Sequence, residues 1–237
     1  MNKMPDQHNG SILLVGASRG LGEAMAHVFA RKGWRVVGTV RDDQPNGLRD
    51  LARDHSDQVG VERLDITDPD QIAALAERLA GRRFDMLFVN AGTANHDQQE
   101  TIAETSTDEF VRVMVTNALS VMRTVEGLQG LVRDRGLNGE MSSGQGSIAT
   151  TEKGGHEVYR GSKAALNQYM RSYAARRASD GRALVLMAPG WIRTELGGAE
   201  APFGIEETIP ELVDTLIAQQ GRAGLRFIDR HGATVPW

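Results

Sequence analysis

The sequence predicts an α/β protein with one doubly wound, mostly parallel sheet of about seven strands and with helices on both faces. Three observations support this prediction. Apolar runs of strand length alternate with segments of helical periodicity, a glycine-rich stretch follows the first apolar run, and no repeat, linker or low-complexity tract divides the chain. Such alternation is typical of strand-helix-strand units, because parallel strands need a crossover connection between them.

The first predicted strand is the apolar run 11–15, whose unbroken hydrophobicity suits a strand that is buried on both faces. Helical spacing then begins at Leu21. Three further strands are predicted in the first half of the chain, at 34–39, 61–64 and 84–89. A helix at 46–54 and a second helix that starts at Asp68-Pro69 lie between these strands, the proline falling near the first turn where its missing N–H is tolerated.

The second half continues the alternation less regularly. Ser106 and Glu109 stand three residues apart, as in a capping box, and predict the start of a long helix. A strand at 137–142 is expected from topology alone, because Gly139 and Glu140 interrupt its apolar pattern. The remaining elements are predicted as a helix at 159–175, a strand at 183–187, a helix at 206–219 and a strand at 225–228.

Composition narrows both the domain organisation and the function classes. The chain has 237 residues, of which 40% are hydrophobic, so we expect a flexible segment at 1–10 and a single domain at 11–237. The absence of cysteine excludes disulfides and thiol nucleophiles, and six scattered histidines predict no metal site. A net charge of −4 gives no general reason to bind nucleic acid, and no segment resembles a membrane span or a secretory leader. We therefore expect a soluble, cytoplasmic protein.

Tyr159 and Lys163 are the strongest candidates for chemistry. Residues four apart lie on the same face of a helix, so the phenol and the amine are expected to point into one pocket. An ammonium beside a phenol favours the phenolate, which moves the tyrosine pKa toward the range useful for proton transfer. With 3 Tyr and 4 Lys in the chain, the spacing would also arise by chance roughly one time in twenty. The chain otherwise prefers arginine strongly, which makes a lysine at this position more informative.

A glycine loop follows the first predicted strand and opens the first predicted helix. Glycines permit unusual backbone angles and close approach of a phosphate, and the helix N-terminus attracts negative charge. The position of the loop therefore predicts a Rossmann-type dinucleotide site, although three glycines alone are a weak signal in a chain with 27 of them. The loop residues expected to bind the cofactor are Gly16, Ser18, Arg19, Gly20, Leu21 and Gly22.

The end of the second predicted strand favours NADP(H) over NAD(H). An acidic residue there would bind the ribose hydroxyls of NAD, but Val40 occupies that position and Arg41 follows it. Arg19 could supply a second guanidinium to the additional phosphate of NADP. Solvated arginines in an arginine-rich chain are the alternative, and Asp42 and Asp43 keep NAD(H) open as the less favoured cofactor.

The sequence resembles the short-chain dehydrogenase/reductase superfamily along nearly its whole length. The motifs that carry the resemblance appear in the family's order: Gly16-x-x-x-Gly20-x-Gly22, Asn90-Ala91-Gly92, Tyr159-x-x-x-Lys163 and Pro189-Gly190. The run Met141 to Ile148, the pair Gly154-Gly155 and the stretch Tyr159 to Asn167 are similar, more narrowly, to C-factor and sniffer-type carbonyl reductases.

The resemblance implies a role for each matching residue. It implies that Ser143 binds the substrate oxygen, that Tyr159 exchanges the proton, that Lys163 holds the ribose and lowers the tyrosine pKa, and that Asn117 supports a proton-relay water. Ser142 and Ser147 are alternatives for the serine, and a polar break within a long helix is the alternative role for Asn117. Further cofactor contacts are implied for Asp65, Ile66, Asn90, Ala91, Gly92, Pro189, Gly190, Ile192 and Thr194, and a substrate lid for about 190–220.

Two positions depart from the family pattern. Val15 replaces the threonine that usually precedes the first glycine, which should cost little chemistry. Glu140 stands where the strand before the serine is normally apolar, so we expect it to disturb the position of Ser143.

These observations together predict an NADP-dependent short-chain dehydrogenase/reductase that transfers hydride between NADP(H) and a small-molecule carbonyl or secondary alcohol. The alternative is a dinucleotide-binding regulatory or signalling protein of the C-factor type with little turnover. A nucleotide-sugar epimerase is a weaker reading, because the chain lacks the length for the usual substrate domain. The family resemblance also implies a homodimer or a homotetramer.

Overall fold

The structure is a computed structural model that describes residues 9–237. The predicted flexible segment lies mostly outside the described residues, and its last residue, Gly10, already belongs to the first strand. The strands are β1 (Gly10–Val15), β2 (Trp34–Val40), β3 (Val59–Arg63), β4 (Phe84–Val89), β5 (Val132–Met141), β6 (Ala183–Ala188) and β7 (Gly224–Asp229). The helices are α1 (Gly20–Arg31), α2 (Gly47–Asp54), α3 (Pro69–Arg78), α4 (Thr107–Met114), α5 (Val121–Leu128), α6 (Glu157–Arg176) and α7 (Ile205–Gln219).

The seven strands form one parallel sheet in the order β3-β2-β1-β4-β5-β6-β7. The chain runs outward from β1 to β3, crosses back to β4 and then runs outward in the other direction. The predicted doubly wound fold class is thereby confirmed. Ligands of such sheets bind beyond the carboxyl ends of the strands where the order reverses, which here is the crevice between β1 and β4.

Two apolar cores cover the two faces of the sheet. Ile12 and Leu14 of β1 belong to the core beneath α1, α2 and α7. Leu13 and Val15 point to the opposite face and belong to the core beneath α3, α5 and α6. Successive side chains of a strand point to opposite faces, so the unbroken apolar run of β1 reflects burial on both sides.

Side chains cap the N-termini of α2, α3 and α4. Asp68 caps α3 by accepting from the N–H groups of Asp70 and Gln71, with Pro69 at the first helical position. Ser106 caps α4 by accepting from the N–H of Glu109 at 3.2 Å. The Glu109 carboxylate bonds elsewhere in the structure, so only half of the predicted capping box forms.

The helix expected at 206–219 is present, and it forms the second part of the segment in which a substrate lid is expected. The segment 190–220 consists of an irregular loop followed by α7, which begins at Ile205. Four α7 side chains lie in the core with α1, namely Ile209, Leu212, Val213 and Leu216. The lid can therefore include only the loop at 190–204, because moving α7 would expose the core.

Strand β5 differs from its prediction in where it begins and in its regularity at Glu140. It begins at Val132, five residues earlier than expected, and its pairing with β4 shifts register between Phe84 and Met86. Glu140 does not interrupt the strand, since it pairs regularly with Val89 and Leu186. The expected distortion at Glu140 is therefore not found.

Glu140 itself is fully buried, and within residues 9–237 neither of its carboxylate oxygens has a hydrogen-bond partner. Burial raises the pKa of this carboxyl well above its ordinary value, because a charge without a partner is costly in an apolar interior. The folded protein accordingly favours the neutral form of Glu140 over the carboxylate.

The described residues contain neither a candidate membrane span nor a candidate metal-binding group. Across residues 9–237, no helix combines the length and the apolar character needed to cross a membrane. The same stretch contains no group of three or more His, Asp or Glu side chains arranged to hold a metal ion.

The buried carboxyl of Glu140 predicts an unusual dependence of stability on pH. The folded state holds this proton more tightly than the unfolded chain, so stability is lost as pH rises above the ordinary carboxyl pKa. We expect Glu140→Gln to remove this loss, so that the free energies of unfolding diverge by up to about 1.4 kcal/mol per pH unit. Urea denaturation of both proteins from acid to mildly alkaline pH measures this difference in the free energy of unfolding. The control is Glu200→Gln, a change at an exposed position. Parallel curves for wild type and Glu140→Gln would contradict the assignment.

Candidate active site

The loop between β1 and α1 requires its glycines for specific geometric reasons. Gly16 and Gly20 have positive φ values of 84° and 58°, a region that disfavours side chains. A Cβ on Gly22 would lie 2.0 Å from the carbonyl oxygen of Gly16. Asn90 Nδ2 donates to that same oxygen at 2.8 Å, and the Gly16 N–H donates to Thr39 Oγ1 at 3.0 Å. The loop is thus fixed from two neighbouring strands.

The N-terminus of α1 presents free donors next to this loop. Arg19 is the N-cap residue and, in the part of the chain that the structure describes, no side chain caps the helix. A Cβ added to Gly20 would meet nothing within 4 Å, so the space beside this residue is open. Uncapped N–H groups, a helix dipole and open space fit an anion such as a pyrophosphate. Ser18 lies partly buried in the loop, and Leu21 packs against the core from the first turn.

Four residues predicted to contact the cofactor follow the carboxyl ends of β1, β2 and β3. Arg41 is exposed directly after β2. Arg19 is also exposed, and its Nη1 pairs with Glu195 of the 190–204 loop at 2.6 Å. Asp65 Oδ1 accepts from the N–H and the hydroxyl of Thr67 at 2.9 and 2.7 Å, so this carboxylate shapes a turn. Ile66 beside it is buried.

The Asn90-Ala91-Gly92 segment connects the glycine loop with the centre of the site. A Cβ on Gly16 would lie 2.8 Å from Ala91, so the two loops touch. A Cβ on Gly92 would lie 3.3 Å from Asn117 Oδ1 and 3.5 Å from Lys163 Nζ. Small residues at these positions therefore let the two loops and the lysine approach closely.

Tyr159 and Lys163 lie on α6 and face the same region, as the spacing predicts. Lys163 Nζ is 5.7 Å from the centre of the Tyr159 ring and donates to the Met141 carbonyl oxygen at 2.8 Å. Ser143 follows β5, and its side chain lowers the pKa of the Tyr159 phenol. The Ser143 hydroxyl also accepts from the N–H of Gln145 at 3.1 Å, which fixes it at the start of a short 3₁₀ turn.

The pKa values of this group differ from the expectation. Burial raises the pKa of Tyr159 to about 12, and the hydrogen bond from Ser143 offsets only part of that rise. Burial lowers the pKa of Lys163 to about 8. The expected lowering of the tyrosine pKa by the lysine is therefore wrong for this structure, because desolvation disfavours both charges and Lys163 donates to Met141. At neutral pH the phenol carries its proton and can donate it.

The three candidate serines have different environments. Ser142 donates to Asn167 Oδ1 at 2.6 Å, and Asn167 Nδ2 donates in turn to the Gly146 carbonyl oxygen at 3.2 Å. The buried hydroxyl of Ser147 has no partner within residues 9–237. Of the three serines, only Ser143 contributes to the pKa of Tyr159, which favours it as the active serine.

Asn117 lies in a π-helical turn, Val115–Ser120, that separates α4 from α5. Its Nδ2 donates to the Thr93 carbonyl oxygen at 2.8 Å and to Ser162 Oγ at 2.9 Å, while its Oδ1 accepts from the Thr93 N–H at 2.8 Å. The Ser162 hydroxyl donates to the Tyr159 carbonyl oxygen at 2.7 Å. Asn117 thus joins the loop after β4 to the helix of Tyr159. The π turn fits the interpretation of Asn117 as a polar break within a long helix, and π turns are frequent at functional sites. The role of Asn117 in supporting a proton-relay water stays a prediction.

Sequence reasoning missed the part played by Ser162. It stands inside the Tyr159-x-x-x-Lys163 motif, but no spacing rule distinguishes it from its neighbours. Thr93 follows the Asn90-Ala91-Gly92 segment, and its backbone is held by Asn117. Only the three-dimensional contact reveals that these two residues share one amide.

The 190–204 loop has its own internal bonds. The Pro189 carbonyl oxygen accepts from Arg230 Nη1 at 3.3 Å, and Gly190 has a φ of 93°. Ile192 forms a bridge with Phe203, and Thr194 Oγ1 accepts from the Gly197 N–H at 2.9 Å. The loop therefore has a defined shape beside the glycine loop.

Four further residues near the site differ in their contacts, namely His156, Phe203, Trp191 and Gly144. His156 has a φ of 55°, and its Nδ1 lies 2.8 Å from Gln98 Oε1, so it fixes the start of α6. Phe203 lies under the Arg230 guanidinium, 4.2 Å from the ring centre. Trp191 is 55% exposed although its Nε1 donates to Gly197, and a Cβ on Gly144 would meet nothing within 4 Å.

Several known proteins are similar to this chain over most of its length. A family model described as enoyl-(acyl carrier protein) reductase matches residues 16–215. A Burkholderia multivorans protein assigned to the short-chain dehydrogenases/reductases, crystallised with NADP, is 61% identical with a TM-score of 0.95, covering 96% of this chain and 99% of that one. A Pseudomonas aeruginosa PAO1 carbonyl reductase in complex with NADP is 34% identical with a TM-score of 0.88, covering 96% and 99%. The C-signal protein of Myxococcus xanthus is 28% identical over 69% of this chain and 99% of its own length.

The family model and the Burkholderia multivorans structure each match most of the chain. The chain belongs to the short-chain dehydrogenase/reductase family of oxidoreductases.

The contacts of the glycines predict opposite effects of two alanine substitutions in helices. Gly22→Ala would press a Cβ against the Gly16 carbonyl oxygen, so we expect destabilisation of about 1–3 kcal/mol. Gly161→Ala in α6 would meet nothing within 4 Å and should stabilise by about 0.5–1 kcal/mol. Thermal and urea unfolding of both variants test the pair. An unaffected Gly22→Ala variant would show that the loop is looser than described.

Proposed function

We propose that this protein is an NADP-dependent oxidoreductase that transfers hydride between NADP(H) and a carbonyl or secondary alcohol. The observation that carries the proposal is the grouping of Tyr159 with Lys163, whose Nζ lies 5.7 Å from the ring centre, and with Ser143, whose side chain lowers the pKa of the phenol. This group lies beyond the carboxyl ends of the strands, where sheets of this type bind their ligands. Through Gly92 and Ala91 it adjoins the glycine loop.

Backbone groups form the proposed dinucleotide-binding site. The uncapped N-terminus of α1 and the open side of Gly20 would receive the pyrophosphate, and the Asn90-Ala91-Gly92 segment would line the cofactor between that point and Lys163. We propose contacts also from Asp65, Ile66, Pro189, Gly190, Ile192 and Thr194. The nicotinamide supplies the hydride when the cofactor is bound.

The side chains of the site provide the proton and hold the oxygen. A phenol with a pKa of about 12 retains its proton at neutral pH, so Tyr159 is suited to protonate the oxygen of a carbonyl that is being reduced. Ser143 adds a second hydroxyl donor directed at the same oxygen, where negative charge develops. Lys163 and Asn117 hold the surrounding backbone through Met141 and Thr93.

The charges beside the ribose position favour NADP(H). Arg41 and Arg19 are exposed cations near the ends of β2 and β1, and Val40 leaves no carboxylate at the end of β2. Asp43 pairs with Arg49 at 2.7 Å, which reduces its availability for ribose hydroxyls. Two similar proteins hold NADP in their crystals, which supports the same preference here.

A signalling protein with little turnover is the second candidate. The similarity to C-signal over 69% of the chain motivates it. A cofactor titration followed by a panel of carbonyl compounds separates the two candidates. Tight NADPH binding without reduction of any carbonyl would favour the signalling role.

Removing the Tyr159 hydroxyl should abolish most turnover. We expect Tyr159→Phe to lower kcat by about 10² or more, because positioned proton transfer typically contributes that factor. NADPH binding, followed by fluorescence, should remain within a few-fold of wild type. Tyr169→Phe is the matched control, since Tyr169 lies on the same helix and is 47% exposed. Near-normal carbonyl reduction by Tyr159→Phe would refute the assignment.

Arg41 should contribute to the choice between the two dinucleotides. A guanidinium-phosphate contact contributes about 1.5–3 kcal/mol, so Arg41→Ala should raise the KM for NADPH about tenfold or more. The KM for NADH should change about twofold at most. Arg123→Ala, an exposed change on α5, serves as the control in the same kinetic assay. Equal effects on both cofactors would show that Arg41 does not contact the distinguishing phosphate.

A further inference from the structure

The segment from Thr93 to His96, which we term the β4 exit segment, forms one wall of the site without regular secondary structure. It follows Gly92, whose position is close to both Lys163 and Asn117. A segment without ladder or helix hydrogen bonds must obtain its shape from side chains. The side chains that shape it lie on α4 and on the π turn that follows α4.

Arg112 makes the largest set of these contacts. Its Nη1 donates to Thr93 Oγ1 at 3.0 Å, and its Nη2 donates to the Ala94 carbonyl oxygen at 2.7 Å. The same guanidinium pairs with Glu109 through two bonds, Nε to Oε2 at 2.7 Å and Nη2 to Oε1 at 2.8 Å. A rigid fork of donors can serve the three partners at once, whereas a lysine ammonium cannot.

Glu109 extends the same network to the far end of the segment. Its Oε1 accepts from the His96 N–H at 2.7 Å, and His96 Nδ1 lies 2.8 Å from that oxygen. The Glu109 side chain is only 15% exposed. Hydrogen bonding from Arg112 lowers the pKa of Glu109 to about 2, so the carboxylate is charged throughout the usual pH range.

Thr93 is consequently held from two directions. Arg112 binds its hydroxyl, and Asn117 binds both its N–H and its carbonyl oxygen. Asn117 continues to Ser162, which bonds to the Tyr159 carbonyl oxygen. A chain of direct contacts thus runs from Glu109 to the catalytic helix.

We propose that Glu109 and Arg112 are positioning residues, which fix the β4 exit segment against Asn117 and Lys163 so that the site is aligned for hydride and proton transfer. The proposal rests on the function proposed above. Loss of such alignment lowers kcat more than it changes binding, because a displacement of about 1 Å can cost up to about 10² in rate.

The central test compares Arg112→Met with a matched variant. We expect Arg112→Met to lower kcat about tenfold to a hundredfold, with the NADPH Kd within about twofold and the carbonyl KM within about threefold. Arg112→Lys and Glu109→Gln should lose less, since each retains part of the network. The control is Arg176→Met, because Arg176 pairs with Glu126 at 2.7 Å and joins α5 to α6 away from the β4 exit segment. Its kcat should stay within about twofold of wild type.

Amide hydrogen exchange supplies a readout that needs no substrate. The N–H groups of Thr93 and His96 should exchange at least about tenfold faster in Arg112→Met than in wild type or Arg176→Met. The proposal is overturned if folded Arg112→Met keeps a kcat within twofold of wild type, or if Arg176→Met loses as much. If wild type reduces no carbonyl, the proposed function fails separately, and unchanged exchange at Thr93 and His96 then overturns the positioning role.

Discussion

The site depends on the close approach of two loops, one after β1 and one after β4. Their strands are neighbours in the sheet although 68 residues separate Gly22 from Asn90 in the sequence numbering. The Asn90 side chain bonds the Gly16 carbonyl oxygen, and Ala91 touches Gly16 where a larger residue would not fit. Opening this contact would separate the helix N-terminus that attracts an anion from the lysine and tyrosine that handle the proton.

Asn117 illustrates how the fold exchanges helical regularity for a functional contact. A continuous α-helix from α4 to α5 would rotate its side chains by a constant angle. The π turn changes that rotation, and the Asn117 amide reaches the backbone of Thr93 as well as Ser162 on α6. Three elements remote in sequence are therefore tied at one fully buried side chain.

Features with a simple periodicity could be predicted from the sequence. The apolar runs of β1 and β4 match their strands closely, because burial on both faces leaves an unbroken hydrophobic pattern. The start of β5 was missed, since residues 133–135 are charged and exposed and carry no strand pattern. The fold class and the family are confirmed, whereas the roles of Ser143, Tyr159, Lys163 and Asn117 stay predictions.

Environment was harder to predict than position. The spacing of Tyr159 and Lys163 indicates that they share a face, but it carries no information about how much water surrounds them. The same limitation applies to Glu140, whose residue type suggested a break in β5 although the strand accommodates it in neutral form. Likewise, no pattern distinguishes Arg112 from the other arginines of the chain, because its partners come from a different element.

One physical cause acts on both members of the Tyr159 and Lys163 pair. Burial disfavours charge, so it raises the pKa of the phenol to about 12 and lowers that of the amine to about 8. The lysine adjoins Gly92, and the neighbouring Ala91 adjoins the glycine loop, so an anion bound at the N-terminus of α1 would favour the ammonium form of Lys163. That ammonium would in turn lower the pKa of Tyr159. An anion bound at the N-terminus of α1 would therefore strengthen the lysine effect that the family resemblance implies.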